Sequence, residues 1–237
     1  MEQYTTSYGT SAADALPVER AQFIRKTYFL LAAAILAFIF VEGFLFASGA
    51  ADVIASLVFS GGVIGWLAVL GLFMLVSYIA RTWATSETSK STQFLGLGVA
   101  IIAEAVIFVP LITMAAIRSH DPFALLMKAG IVTLGLFLGI TATVFITRSD
   151  FSFLGPILAI GGFAALGFIV ASALFGFSLG TVFAFVMVAF AGTAILYETS
   201  NVLHRFNTEQ HVAASLTLFA SIALLFWYIL SIFSSRD

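Results

Sequence analysis

What this chain can fold into is decided by seven apolar stretches, near residues 26–47, 54–80, 93–117, 123–146, 152–174, 178–201 and 212–233. A hydrocarbon layer about 30 Å thick takes ~20 residues of helix at 1.5 Å each. Every stretch reaches that length. Inside lipid the backbone amides and carbonyls must bond to one another, so helix is the form these stretches take. The reading is an all-α integral membrane protein, a seven-transmembrane-helix bundle over residues 23–237 and a partner of the lipid bilayer itself. Residues 1–22 are polar, carry no apolar core of the kind a cleaved signal has, and are expected to form a flexible cytoplasmic tail.

Composition sharpens what is excluded. Only 9% of the 237 residues are charged, against roughly a quarter in soluble domains, so a water-soluble globule is ruled out. The net charge of −2 leaves nucleic-acid binding without an electrostatic footing. The lack of cysteine removes disulfides, thiolate metal sites and cysteine catalysis together.

Basic residues give an orientation. With the N-terminus inside, the cytoplasmic face holds Arg20, Arg25, Lys26, Arg81, Lys90, Arg148 and Arg205; the other face has Arg118, Arg236 and Lys128. The excess inside predicts an N-terminus in and a C-terminus out. The pairs Gly61/Gly65 and Gly135/Gly139 have the small-residue spacing that lets helices approach closely within a bundle.

Charges placed in hydrocarbon cost about 2.5–3.5 kcal/mol each on insertion scales, so each needs a reason. Glu104 is the deepest, near the middle of the third span, and Lys128 enters the fourth from the outer side. Their similar depth on successive antiparallel helices predicts a buried ion pair, the alternative being a Lys128 that snorkels to the outer headgroups and a Glu104 protonated in an apolar setting. Pro110 follows in the third span and frees the carbonyl of Val106, predicting a kink. Glu42 is expected at the outer interface, reaching water. Glu198 ends the sixth span at its cytoplasmic rim, with Asn201 and Arg205 on the same helical face at i+3 and i+7. Together they predict a polar inner-end seal covered by neighbouring helices. Thr217, Ser221 and Tyr228 share one face of the seventh span.

Enzyme chemistry is not expected. Ser119, His120 and Asp121 are adjacent, and adjacent side chains cannot converge as a hydrolase triad. His204 and His211 lack a third ligand for a metal. The seventh span has no lysine for a Schiff base.

Several stretches resemble a known family. ILYETSNVLH (195–204), TRSDFSFLG (147–155), VPLI (109–112), the Lys26-Thr-Tyr-Phe-Leu-Leu opening of the first helix and the terminal Ser-Arg-Asp are similar to the Bax inhibitor-1 family, most closely its bacterial YccA-like branch. The resemblance implies a central hairpin of the sixth and seventh helices. In parts of the family two carboxylates on those helices form a proton-sensitive latch over a calcium leak. Glu198 matches the first, while Ser221 stands in the place of the second and is not an acid. The YccA-like branch implies instead a non-enzymatic modulator of a membrane-anchored AAA-type protease in the bacterial inner membrane. No cofactor is implied, and calcium enters only as a transported ion. Ser221 favours the protease role; a passage reaching Glu198 from the outer side would favour the leak.

Overall fold

The computed structural model describes residues 11–86 and 89–235. Its helices are α1 (Pro17–Ala47), α2 (Ala50–Ser60), α3 (Gly62–Ala84), α4 (Lys90–Arg118), α5 (Pro122–Thr147), α6 (Leu154–Phe175), α7 (Gly180–His204) and α8 (His211–Ser234). Seven of them are long and apolar enough to cross a membrane.

The extra element is α2, of 11 residues, and it corrects the expected second span of 54–80. The apolar run there is continuous in sequence, but the chain turns at Gly61–Gly62, where Gly62 has φ +54°, a conformation glycine adopts without a Cβ penalty. Only α3 spans. The Gly61/Gly65 pair serves this corner: a Cβ on Gly61 would stand 2.8 Å from the Gly65 Cα. A Cβ on Gly135 or Gly139 would meet nothing within 4 Å, so that pair makes no close helix contact. The close approach comes from Gly96 on α4. A Cβ there would lie 2.5 Å from the Ala80 carbonyl oxygen and 2.7 Å from the Ala84 nitrogen, so α3 and α4 touch backbone to backbone.

Helix starts follow local chemistry. Ser89 accepts the Thr92 amide at the head of α4, and Asp121 accepts that of Ala124 at 2.9 Å with Pro122 opening α5. Such caps satisfy amides that have no partner within the helix. The Ser119–Asp121 stretch is therefore a turn and a cap.

α8 occupies the middle of the bundle. It packs against α7, α1, α4 and α5, and more lightly against α3. Val212, Ala214, Leu218, Leu225 and Leu230, pointing in different directions around it, are all fully buried. Lipid tails are as apolar as leucine, so packing and not water exclusion holds these contacts. Aromatic rings close the centre: Phe108 of α4 meets Trp227 of α8 edge-on with centroids 5.0 Å apart. The expected central hairpin is present as α7 and α8.

The N-terminal stretch departs from expectation. α1 begins at Pro17, inside the supposed tail, and the Ala12 amide donates to the Phe206 carbonyl at 2.9 Å. Ser11 pairs with Asn207, and Arg20 reaches the Leu203 carbonyl. Chain from Ser11 onward is thus tied to the α7–α8 turn. Residues 1–10 and Arg236 lie outside the described residues.

Candidate functional site

Four polar residues end α7 in succession, Glu198 to Asn201. Successive helical residues point about 100° apart, so four of them face almost every direction around the axis. At a frayed end most would meet water. Here Thr199 and Ser200 are fully buried and Asn201 is 8% exposed, so protein surrounds the helix end on all sides.

Each side chain meets a different neighbour. Ser200 Oγ accepts the Phe151 amide at 2.9 Å and lies 3.4 Å from the Ser149 carbonyl, which ties the α5–α6 loop to α7. Thr199 stands beside Tyr28 of α1, which also neighbours Thr141 of α5. Asn201 Nδ2 donates to Glu198 Oε2 at 3.4 Å. Glu198 itself is half-buried and neighbours Thr217 of α8. The end of α7 is thus packed against the α5–α6 loop, α1 and α8, with Glu198 on the wall of a cavity.

What Glu198 faces is a cavity of about 1130 Å³ between α3, α4, α6, α7 and α8. Along α8 its lining runs from Leu216 to Ser231, roughly 22 Å at 1.5 Å per residue. Gly62 and Gly180 line it at the end away from the α7–α8 turn. Glu198 and Arg81 line it near the turn, and Glu104 and Ser221 also border it. Most of the remaining wall is apolar or aromatic, including Trp66 and Trp227. In such a wall a carboxylate is poorly solvated and attracts cations strongly.

Several expectations need correction. Glu104 and Lys128 form no ion pair: Lys128 is exposed on α5, whereas Glu104 borders the cavity and feels the charge of Arg81. Although successive in the chain, α4 and α5 are not close partners, since α5 packs on α7 and α8 and meets α4 only lightly. Arg205 does not share the Glu198 face, because α7 stops at His204 and Arg205 is exposed beyond it. Glu42 is not at a wet interface: it is 7% exposed, and neither of its oxygens has a hydrogen-bond partner among the described residues. Pro110 lies buried inside α4, as its place in the third span implied. Of the three residues expected on one face of the seventh span, Ser221 and Tyr228 line the cavity and Thr217 does not, although it neighbours Glu198. Arg81 was counted in the sequence only as an orienting charge; its position one turn before the end of α3 is the signal that could have brought it into the site.

Outside the spans, the α5–α6 loop carries Asp150. The Ser152 amide donates to its Oδ1 at 2.9 Å. That bond, helped by the nearby charges of His204 and Arg205, holds its carboxyl below the usual aspartate range.

The family model for "Inhibitor of apoptosis-promoting Bax1" matches residues 20–237. This chain belongs to the Bax inhibitor-1 family. An uncharacterized protein of Pseudomonas aeruginosa is 29% identical over 167 residues, 69% of each chain. Bax inhibitor 1 of Schizosaccharomyces pombe is 34% identical over 115 residues, 46% of this chain and 41% of that one. The Golgi anti-apoptotic protein of Vaccinia virus (strain Lister) is 30% identical over 126 residues, 51% and 52% of the two chains. The chain thus spans about half or less of the latter two relatives. No solved structure matches it. Within the Bax inhibitor-1 family, this member is a multi-pass membrane protein whose seven apolar helices imply a bilayer around it.

Proposed function

We propose that the protein is a cation leak, permeable to calcium and closed at the inner end of α7 and α8. The observation that carries the reading is the cavity, which extends from Ser231 and Gly180 down to Glu198. Glu198 gives that end of a largely apolar wall a carboxylate, a group that favours cations over anions. Its protonation removes that charge, so acid conditions alter the flux. The α7 seal supplies the closure: Ser200 is bonded to the α5–α6 loop and Glu198 lies beside Thr217 of α8, and opening requires those contacts to part.

The test uses the full chain in vesicles loaded with a calcium indicator, at neutral and acidic pH. Calcium entry with the wild type, altered in Glu198→Gln, is the expected result. Flux that ignores Glu198→Gln refutes the gate, and a wild type that carries no calcium refutes the leak.

The YccA-like resemblance supports a second reading, a modulator of a membrane-anchored AAA-type protease. The supporting contact is the Ala12–Phe206 hydrogen bond: a protease pulling on the N-terminal end would pull directly on the α7–α8 turn. Deleting residues 1–10 leaves that contact in place and should slow turnover by such a protease. Unchanged turnover refutes this reading.

A further inference from the structure

We propose that Glu104 is a cation-binding station part-way along the cavity, supplying from α4 the second carboxylate that Ser221 does not supply from α8. The inference rests on the cavity being a cation path and names a ligand class for it, a calcium-type divalent ion held by one carboxylate, neighbouring hydroxyls and water.

Depth is the first ground. Glu104 lies 14 residues into α4 from Lys90, about 21 Å, whereas Glu198 lies six from the end of α7 at His204, about 9 Å. The two acids therefore sit at separate levels of one cavity, both of which they border. They do not face each other as a dyad would.

The second ground is that Glu104 is an acid without a structural task. Among the described residues its carboxylate takes no hydrogen bond, and the one ion pair is Lys90–Glu209 on the surface. Glu104 is half-buried, and a carboxylate set in a largely apolar wall without a partner is poorly compensated. The charged groups that share its cavity are Arg81 and Glu198. Arg81 is an exposed side chain near the inner end of α3 that acts on both acids. One guanidinium cannot pair with both carboxylates, so when both acids are ionised the cavity wall carries one negative charge in excess.

The chemistry around Glu104 suits transit better than storage. Calcium takes six to eight oxygens, and its affinity follows the ligand charge count and the rigidity of the site, down to a Kd of about 10⁻⁴–10⁻³ M. One carboxylate, with Ser221 and Ser77 hydroxyls on the same cavity wall, belongs at the weak end of that scale. Conduction needs sites weak enough to leave as well as to enter.

Two tryptophans make the station observable. Trp66 and Trp227 line the cavity with ring centroids 6.4 Å apart. Trp227 packs on Phe108, which lies one helical turn beyond Glu104 on α4. The remaining tryptophan, Trp83, does not border the cavity. Terbium(III), a calcium-like ion, bound at Glu104 should therefore emit when tryptophan is excited in the detergent-solubilised full chain.

The expected result is sensitised emission in the wild type and in Trp83→Phe, displaced by millimolar calcium. Glu104→Gln loses most of that emission, and Glu104→Asp, which keeps the carboxylate, retains it. If Glu104→Gln elutes as a folded monodisperse species and emits like the wild type, the station is refuted. If Glu104→Gln does not fold, emission from Glu104→Asp equal to that of a Trp66→Phe/Trp227→Phe double variant refutes it instead. Emission that depends on Glu104, with no calcium flux in vesicles, keeps the station and overturns the leak.

Discussion

Ser200→Ala probes the proposed seal at the end of α7 without touching Glu198. The wild-type hydroxyl is fully buried, accepts the Phe151 amide at 2.9 Å and lies 3.4 Å from the Ser149 carbonyl. Alanine fills nearly the same space but leaves the amide without an acceptor. An unmet buried donor costs about 1–3 kcal/mol. The Phe151 contact is only partly buried, so water can replace some of the loss and the expected cost is about 1–1.5 kcal/mol. For a chain of this size that lowers Tm by roughly 2–6 °C. If the loss is local, hydrogen exchange of the 147–155 segment speeds up by roughly 5–13-fold, at 1.36 kcal/mol per decade. Exchange mass spectrometry and thermal unfolding in micelles read both quantities. Thr143→Ala is the control, since the exposed Thr143 hydroxyl only returns to its own helix at the Gly139 carbonyl. If Ser200→Ala matched Thr143→Ala in both assays, the loop would not be held by α7 and the reasoning about the seal would fail.

Three further outcomes follow from the same contacts. Gly96→Val must push α3 from α4 at the Ala80 carbonyl and should destabilise by about 1–3 kcal/mol or more, whereas Gly135→Val should be close to neutral; equal Tm values for the two would contradict the backbone contact. The lack of native cysteine makes single-cysteine labelling clean. His120→Cys should react in intact cells and Thr208→Cys only after permeabilisation, and the reverse pattern would invert the orientation. Asp150 has a depressed carboxyl pKa in the folded state. Its contribution to loop order is therefore full above the ordinary aspartate range and is lost as pH falls through that lower value. Protection of the Ser152 amide should follow this course; loss of protection already in the ordinary range would count against the bond.

The spans were legible because twenty apolar residues in a row allow one element, and the cap residues Ser89 and Asp121 mark where helices begin. The corner at Gly61–Gly62 was not legible, since the apolar run continues on both sides and only the backbone conformation reveals the turn. Glu198 was readable as an acid where a plain helix end would need none. Its surroundings were not, because Thr199 and Ser200 could equally have met water. The Glu104–Lys128 pairing failed on an assumption about neighbours: depth can be counted along a chain, but the central position of α8 cannot. Arg81 was hidden among the orienting charges for the same reason. Glu42 was misjudged because distance from a span's end does not tell whether α1 presents that position to lipid, water or protein.

Access to the acid itself is the most direct test. Ser221→Cys places a thiol on the cavity wall in a chain with no other cysteine. A positively charged methanethiosulfonate applied from the Ser231 side should modify it faster than a negatively charged one, and Glu198→Gln and Glu104→Gln together should narrow the difference. A thiol that neither reagent reaches, or that both reach equally with the acids intact, would contradict a cation path to Glu198.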